Sequence, residues 1–198
     1  GYYNPSEGDG LDGLLRDMSG LLCTCGLDHI LLMAEDDASH YHYPPRQTQK
    51  FPMHGMVHAL PARLISYGYR WQGDECILYA EGEIIQASLY GANLRLYRRI
   101  EAKVGESCIR LYDAVENVGY DPTPHMYMYH INIGFPAIDE GSEYVAPIIR
   151  TRWMSDSVRQ QRCSYRRISR PIRGFVEQVF EHELAADAAG RVPVAAFN

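Results

Sequence analysis

ECILYAEGEIIQASLYGANLRLYRRIEAKVGESCIRLYDAVEN, residues 75–117, decides the fold class. It divides into runs rich in Ile, Leu, Tyr and Val, separated by short turns that carry Gly. Such composition suits the pleated, half-buried surface of a sheet. The runs predict strands near 75–81, 84–90, 93–102 and 107–117. In the fourth run, Ile109, Leu111, Asp113 and Val115 share one face, and Arg110, Tyr112 and Glu116 share the other. Turn signals recur every 8–12 residues or so, the spacing of an all-β sandwich or barrel. The length of the runs favours large sheets over a small barrel. Downstream, GFVEQVFEHEL (174–184) and RVPVAAF (191–197) read as two further strands across the turn ADAAG. Few segments hold a helical period for three turns.

The chain outside this region is less regular. YYNPSEGDGLDGLLRDMSG (2–20) is rich in turn residues, and LLCTCGLDHI (21–30) is a short apolar piece closed by Gly26, Asp28 and His29. EDDASHYHYPPRQTQKFPMHGMVHALP (35–61) is nearly all loop by composition. A loop of that length in a compact domain serves function or is disordered, and its histidine pairs favour function. The 198 residues imply a single domain. The first residue is not Met and the last follows an apolar stretch, so the expectation is a β-sandwich incomplete at both ends, cut from a longer protein.

Charge and cysteine content narrow the function. A net charge of −6 argues against a nucleic-acid binder that works by neutralising phosphates. Eight arginines do gather between Arg150 and Arg173, but Asp156 and apolar flanks interrupt them, and a solvated segment is the expectation. Five cysteines, two of them in C-x-C at Cys23 and Cys25, fit buried thiols in a reducing compartment better than a disulfide framework, so a cytoplasmic protein is expected. No run has transmembrane length, so no membrane partner is expected. Exposed strand edges and abundant Tyr suit a homodimer.

PHMYMYHINIGFP (124–136) places two histidines in an apolar run. His125 and His130 are five apart, so in a strand they face opposite sides, and one of them is expected to be structural. Asn132 shares the face of His130, and Tyr127 and Tyr129 offer walls for a sugar ring. A neutral imidazole exchanges protons readily near neutral pH, yet a core histidine satisfied by a neighbour explains His130 equally well. His54, followed by Gly55, is either a loop histidine bonded to the backbone or a ligand-facing group that the Gly lets approach closely. His40 and His42 form H-x-H, the first half of a cupin-type metal pattern, but Pro44 and Pro45 stand where its next ligand belongs.

Taken in order, these motifs resemble the aldose 1-epimerase (galactose mutarotase) family. The turn Asn117-Val118-Gly119, the link Pro122 to Pro124, and the strand carrying His130 follow the family's pattern. So do the His54-Gly55 loop and the Gly174-Phe175-Val176-Glu177 segment. The similarity is nearest to the DUF4432-type branch, in the segments Gly20 to Asp28, His54 to Ala62, Trp71 to Glu75 and YHINIGFP, and runs from about residue 11 to the end. The resemblance implies a large antiparallel supersandwich and a small-molecule sugar partner. It implies ring opening in which a histidine protonates the ring oxygen while a carboxylate removes the anomeric proton, with no metal and no organic cofactor. Carried over, His130 is the general acid, His54 a substrate-orienting donor, and Glu177 a ligand to sugar hydroxyls. Asp28 and His29 fall where the family brings a substrate-binding arginine. The family's general base, a Glu near its C-terminus, has no counterpart in this chain. Asp139 and Glu140 stand in reserve for that role, and Met56 replaces an arginine. Three rivals follow: a non-catalytic carbohydrate-binding sandwich, a metal-dependent sugar isomerase using His40, His42, His54 and His58, and a structural domain of a larger enzyme.

Overall fold

A computed structural model describes residues 20–162 and 164–198. Residues 1–19, expected above to be rich in turns, and Cys163 lie outside the described residues. The chain divides into two compact units, Gly1–Asn132 and Ile133–Asn198. The architecture is all-β, and every named strand pair is antiparallel.

In the first unit, β1 (Leu22–Leu27) is followed by the hairpin of β2 (Ala34–Asp37) and β3 (Thr48–Phe51). A four-stranded meander comes next: β4 (Arg63–Gln72), β5 (Glu75–Ala87), β6 (Asn93–Lys103) and β7 (Ile109–Asn117). The last strand, β8 (Met126–Ile131), returns to pair with β1. The meander matches the expected strands with two differences. The expected strands at 75–81 and 84–90 are one, because Gly82 is not a turn: a Cβ there would lie 3.1 Å from the Arg63 carbonyl oxygen, so Gly admits a close strand crossing beside a bulge at Leu64/Ser66. The second is β4, which was not anticipated. The same bulge breaks its alternation.

Register gives the meander two chemical faces. Ile84, Leu96 and Val115 align across three strands and pack with Leu27, Val57, Ala92 and Leu94 into the core of the unit. Farther along the same face, Tyr67, Tyr69, Trp71 and Ile109 are exposed. The opposite face carries an ion-pair lattice: Arg63 to Glu83, Arg70 to Glu101, and Arg99 to both Glu81 and Glu101.

Between core and exposed end, the inner face holds one carboxylate, Asp113. Its side chain is 5% exposed. Arg98 grips it with two parallel bonds, Nε to Oδ1 and Nη2 to Oδ2, both 2.8 Å. The hydroxyls of Tyr127 and Tyr129 each donate to Oδ2 at 2.7 Å. This ties β8 to the meander. Burial works to raise the Asp113 pKa, but the Arg98 fork and the two hydroxyls outweigh it and hold the carboxyl below its ordinary value. The same contact and burial push both tyrosines up, so they remain donors.

The second unit contains β9 (Glu143–Val145), β10 (Ile148–Met154), a short helix α1 (Asp156–Gln161), β11 (Phe180–Leu184) and β12 (Ala195–Phe197). The two expected late strands are shorter than 174–184 and 191–197 and do not form a hairpin: β11 pairs with β10, and β12 with β9. Asp187 explains the turn between them, accepting from the backbone of Ala189 and Arg191. Rings of Tyr144, Tyr165, Phe180 and His182 pack together, and burial lowers the His182 pKa. Glu183 takes both Arg150 and Arg152, and Arg159 and Arg167 face Asp156 and Glu143. Among the described residues no helix is long and apolar enough to cross a membrane.

Removing the charge of Asp113 strands a half-buried guanidinium. Asp113→Asn is expected to cost about 3–5 kcal/mol in urea unfolding near neutral pH. Because the folded pKa is depressed, the wild-type contribution is present above the unfolded value near ~3.9 and is lost as pH falls toward the folded one. The acid limb of stability against pH should therefore be shallower in the variant.

Candidate functional site

The site grows from β1. Along one edge it pairs with β8, so that Cys23 faces His130 and Gly26 faces Tyr127. Along the other edge it meets the His54-Gly55 loop in a parallel bridge, Gly26 to Gly55. The Gly26 amide donates to the His54 carbonyl and the Met56 amide to the Gly26 carbonyl, both at 3.0 Å. Gly is required at both positions, at Gly55 by this crossing and at Gly26 by β8. A Cβ on Gly55 would sit 2.3 Å from the Gly26 oxygen and 2.4 Å from the His29 oxygen, at a φ of +77°. A Cβ on Gly26 would sit 2.5 Å from the Met126 oxygen. His54 itself has a φ of 61°, a left-handed conformation uncommon outside Gly and short polar residues.

The outcome is a histidine pair. The rings of His54 and His130 lie 5.4 Å apart at 51°. His54 Nδ1 is 2.7 Å from the Ile30 carbonyl oxygen. A carbonyl only accepts, so Nδ1 carries the proton, and neutral His54 presents a lone pair at Nε2. The expected donor role of His54 therefore holds only for its imidazolium; the neutral ring is an acceptor. His130 Nδ1 is buried and has no hydrogen-bond partner.

The other expected residues divide clearly. Asp28 is 7% exposed; Gln49 Nε2 donates to its Oδ2 at 3.3 Å, and Oδ1 is buried without a partner. His29 is buried, donates from Nε2 to the Leu32 oxygen at 2.6 Å and stacks on Phe51. That bond shapes the 28–32 turn that also holds His54. Asn132 Nδ2 donates to the Gly20 carbonyl at 2.9 Å and closes the end of β8 against the start of β1. Glu177 belongs to the second unit, exposed and outside any strand, and its carbonyl accepts from Ser157. His125 donates from Nδ1 to the Leu27 carbonyl and is the structural member of its pair.

The loop expected at 35–61 contains a hairpin and two short 3-10 turns, Ser39–Tyr41 and Val57–Ala59. His40 and His42 sit on the first turn and its left-handed end, not on an extended chain. Among the described residues no three His, Cys, Asp or Glu side chains are grouped to hold a metal. Cys23 and Cys25 are buried with sulfurs 4.0 Å apart. The contact with Cys23 and burial push the Cys25 thiol up, so it stays protonated. Cys108, expected to be buried, is exposed.

The family model described as Domain of unknown function (DUF4432) matches residues 2–198. The chain belongs to this family. Its fold is similar to that in the crystal structure of a "putative aldose 1-epimerase" from Klebsiella pneumoniae subsp. pneumoniae MGH 78578, with a TM-score of 0.83 and 20% identity. The match covers 100% of this DUF4432 chain and 48% of the other, so the chain spans about half the length of that structure. The fold is accordingly the expected antiparallel sandwich of the aldose 1-epimerase class. No curated protein matches the chain.

Sequence reasoning missed the partnership of Asp113, Arg98, Tyr127 and Tyr129. The tyrosines, expected as sugar walls, spend their hydroxyls on Asp113. The signal was available: a lone carboxylate on the Ile109–Leu111–Val115 face of a strand demands partners.

Two outcomes test this geometry. Gly55→Ala should destabilise the fold by about 2–4 kcal/mol in thermal or urea unfolding, through overlap and left-handed strain together. Nitrogen-15 NMR of neutral imidazoles should find the proton of His54 on Nδ1 and that of His29 on Nε2.

Proposed function

We propose that this DUF4432 protein binds a sugar or sugar derivative and interconverts its anomers by acid–base ring opening. The observation that carries the reading is the His54–His130 pair, with a buried open nitrogen on His130, in a fold of the aldose 1-epimerase class. His130 is the acid that protonates the ring oxygen, while the proton of the anomeric hydroxyl passes to solvent water. His54, held in one tautomer by Ile30, orients a sugar hydroxyl by accepting from it at Nε2. The open oxygen of Asp28 accepts from a second hydroxyl. Proton transfer by a positioned group contributes typically ~10²–10⁴-fold. The buried thiols Cys23 and Cys25 suit a reducing, cytoplasmic setting.

A second reading, sugar binding without turnover, is favoured by one observation. Among the described residues neither His54 nor His130 is paired with a carboxylate.

Saturation-transfer NMR of anomer exchange, over aldoses and acidic or deoxy sugars, separates the two. The epimerase reading expects exchange above the buffer rate for at least one sugar, reduced about 100-fold or more in His130→Ala. Exchange unchanged in that variant removes His130 as the acid. Binding shifts without exchange establish the second reading.

A further inference from the structure

The polar face of the β4–β7 meander, opposite the core, contains a depression of about 380 Å³ that the sugar chemistry above does not use. Its lining includes Ile65, Glu81, Tyr97, Arg99 and Tyr112. Register accounts for the arrangement. Glu81, Arg99 and Tyr112 align across β5, β6 and β7, and Tyr97 lies diagonal to Tyr112. The bulge at Leu64/Ser66 places Ile65 at the rim.

The floor is preorganised. Glu81 accepts from the Ser66 hydroxyl at 2.6 Å and from Arg99. Arg99 donates through Nε to Glu101 at 2.7 Å, and its guanidinium lies 4.5 Å from the Tyr79 ring centre. Its Nη2 has no hydrogen-bond partner among the described residues, and neither has the Tyr112 hydroxyl. The walls are aromatic: Tyr97 is 36% exposed and Tyr112 52%. Arg95 fixes Tyr97, donating to its hydroxyl at 2.8 Å.

We propose that this depression is a second carbohydrate site, which takes an uncharged oligosaccharide and works independently of the His54–His130 pair. The recognition chemistry is specific. The C–H face of a pyranose packs on an aromatic face, while neighbouring hydroxyls need one fixed acceptor and one fixed donor. Tyr97 and Tyr112 supply the faces, Glu81 the acceptor and Arg99 Nη2 the donor. Glu81 and Arg99 cancel each other's charge, so the floor offers no net attraction to a phosphate or carboxylate. The depression opens to solvent, which suits a chain lying across it better than an enclosed monosaccharide.

The test is an amide-shift NMR titration of the whole chain with neutral gluco-, galacto-, manno- and xylo-oligosaccharides. It is run on the wild type and on His130→Ala, which disables the acid of the other site. Expected are saturable shifts at Gly82, Tyr97, Tyr112 and Ala114 with at least one series, retained in His130→Ala. Tyr112→Ala should weaken that binding at least about tenfold, and Tyr112→Phe should preserve it, because the ring face is what binds. Anomer exchange should be unaffected by either Tyr112 substitution. No saturable shift with any series, shifts confined to β1 and β8, or binding indifferent to Tyr112→Ala overturns the proposal. So does concentration-dependent dimerisation of the wild type that Tyr112→Ala abolishes, which would assign this face to a second copy. Failure of anomer exchange alone bears on the His130 reading and leaves this site standing.

Discussion

Two glycines set the first unit. Neither tolerates a Cβ: on Gly55 it would overlap the Gly26 and His29 carbonyls, and on Gly26 the Met126 carbonyl of β8. Two reciprocal hydrogen bonds fasten the crossing, from Gly26 to His54 and from Met56 to Gly26. This makes β1 the shared middle of three segments, with β8 on one edge and the His54 loop on the other. His54 and His130 come from segments 76 positions apart, yet each is only one hydrogen-bonded neighbour away from β1. Buried groups on β1, Cys25 and Leu27 above all, then carry the assembly into the core. A left-handed His54 is the local cost of the arrangement.

The second constraint acts from below. β8 alternates, and its odd residues Tyr127 and Tyr129 reach down to Asp113 while His130 lies on the other side. The buried carboxylate is saturated by the Arg98 fork and two phenol donors, so it anchors the strand without leaving free valence. A half-satisfied version of the same network would be worse than an apolar contact. The tyrosines of the MYMYH run therefore belong to the scaffold, and the histidine lies at the candidate site.

Strand content was legible in residues 75–117 because β5, β6 and β7 alternate between a core face and an ion-paired face. The breaks in that legibility have local causes. Gly82 mimics a turn signal, but it serves a close crossing next to a bulge. The bulge also blurs the alternation of β4. The H-x-H at His40 and His42 looks extended until Ser39–Tyr41 winds into a 3-10 turn. Pairing partners are harder still. Nothing local distinguishes β11 pairing with β10 from β11 pairing with β12, because that choice is made by contacts distant in sequence. At the site, the His-Gly dipeptide and the His130 strand were visible as motifs. The tautomer of His54 was not, because it depends on a carbonyl 24 residues away.

Hydrogen-bond valence separates structural polar groups from candidate functional ones better than motif position does. Asp113 and Asp28 are both buried aspartates on the scaffold of this unit. Every oxygen of Asp113 is engaged, by four donated bonds. Asp28 holds a single long bond from Gln49 and keeps one buried oxygen open. A buried acceptor left open costs about 1–3 kcal/mol. A fold retains that cost where the group has another partner to meet, such as a ligand hydroxyl or an ordered water. His130 Nδ1 stands in the same position, while His125, five residues before it, is closed by the Leu27 carbonyl. By this accounting a sugar that offers hydroxyls to Asp28 and His130 recovers energy the protein alone forgoes. In the proposed function, ligand binding would draw on these unsatisfied polar groups, and the saturated groups hold them in place.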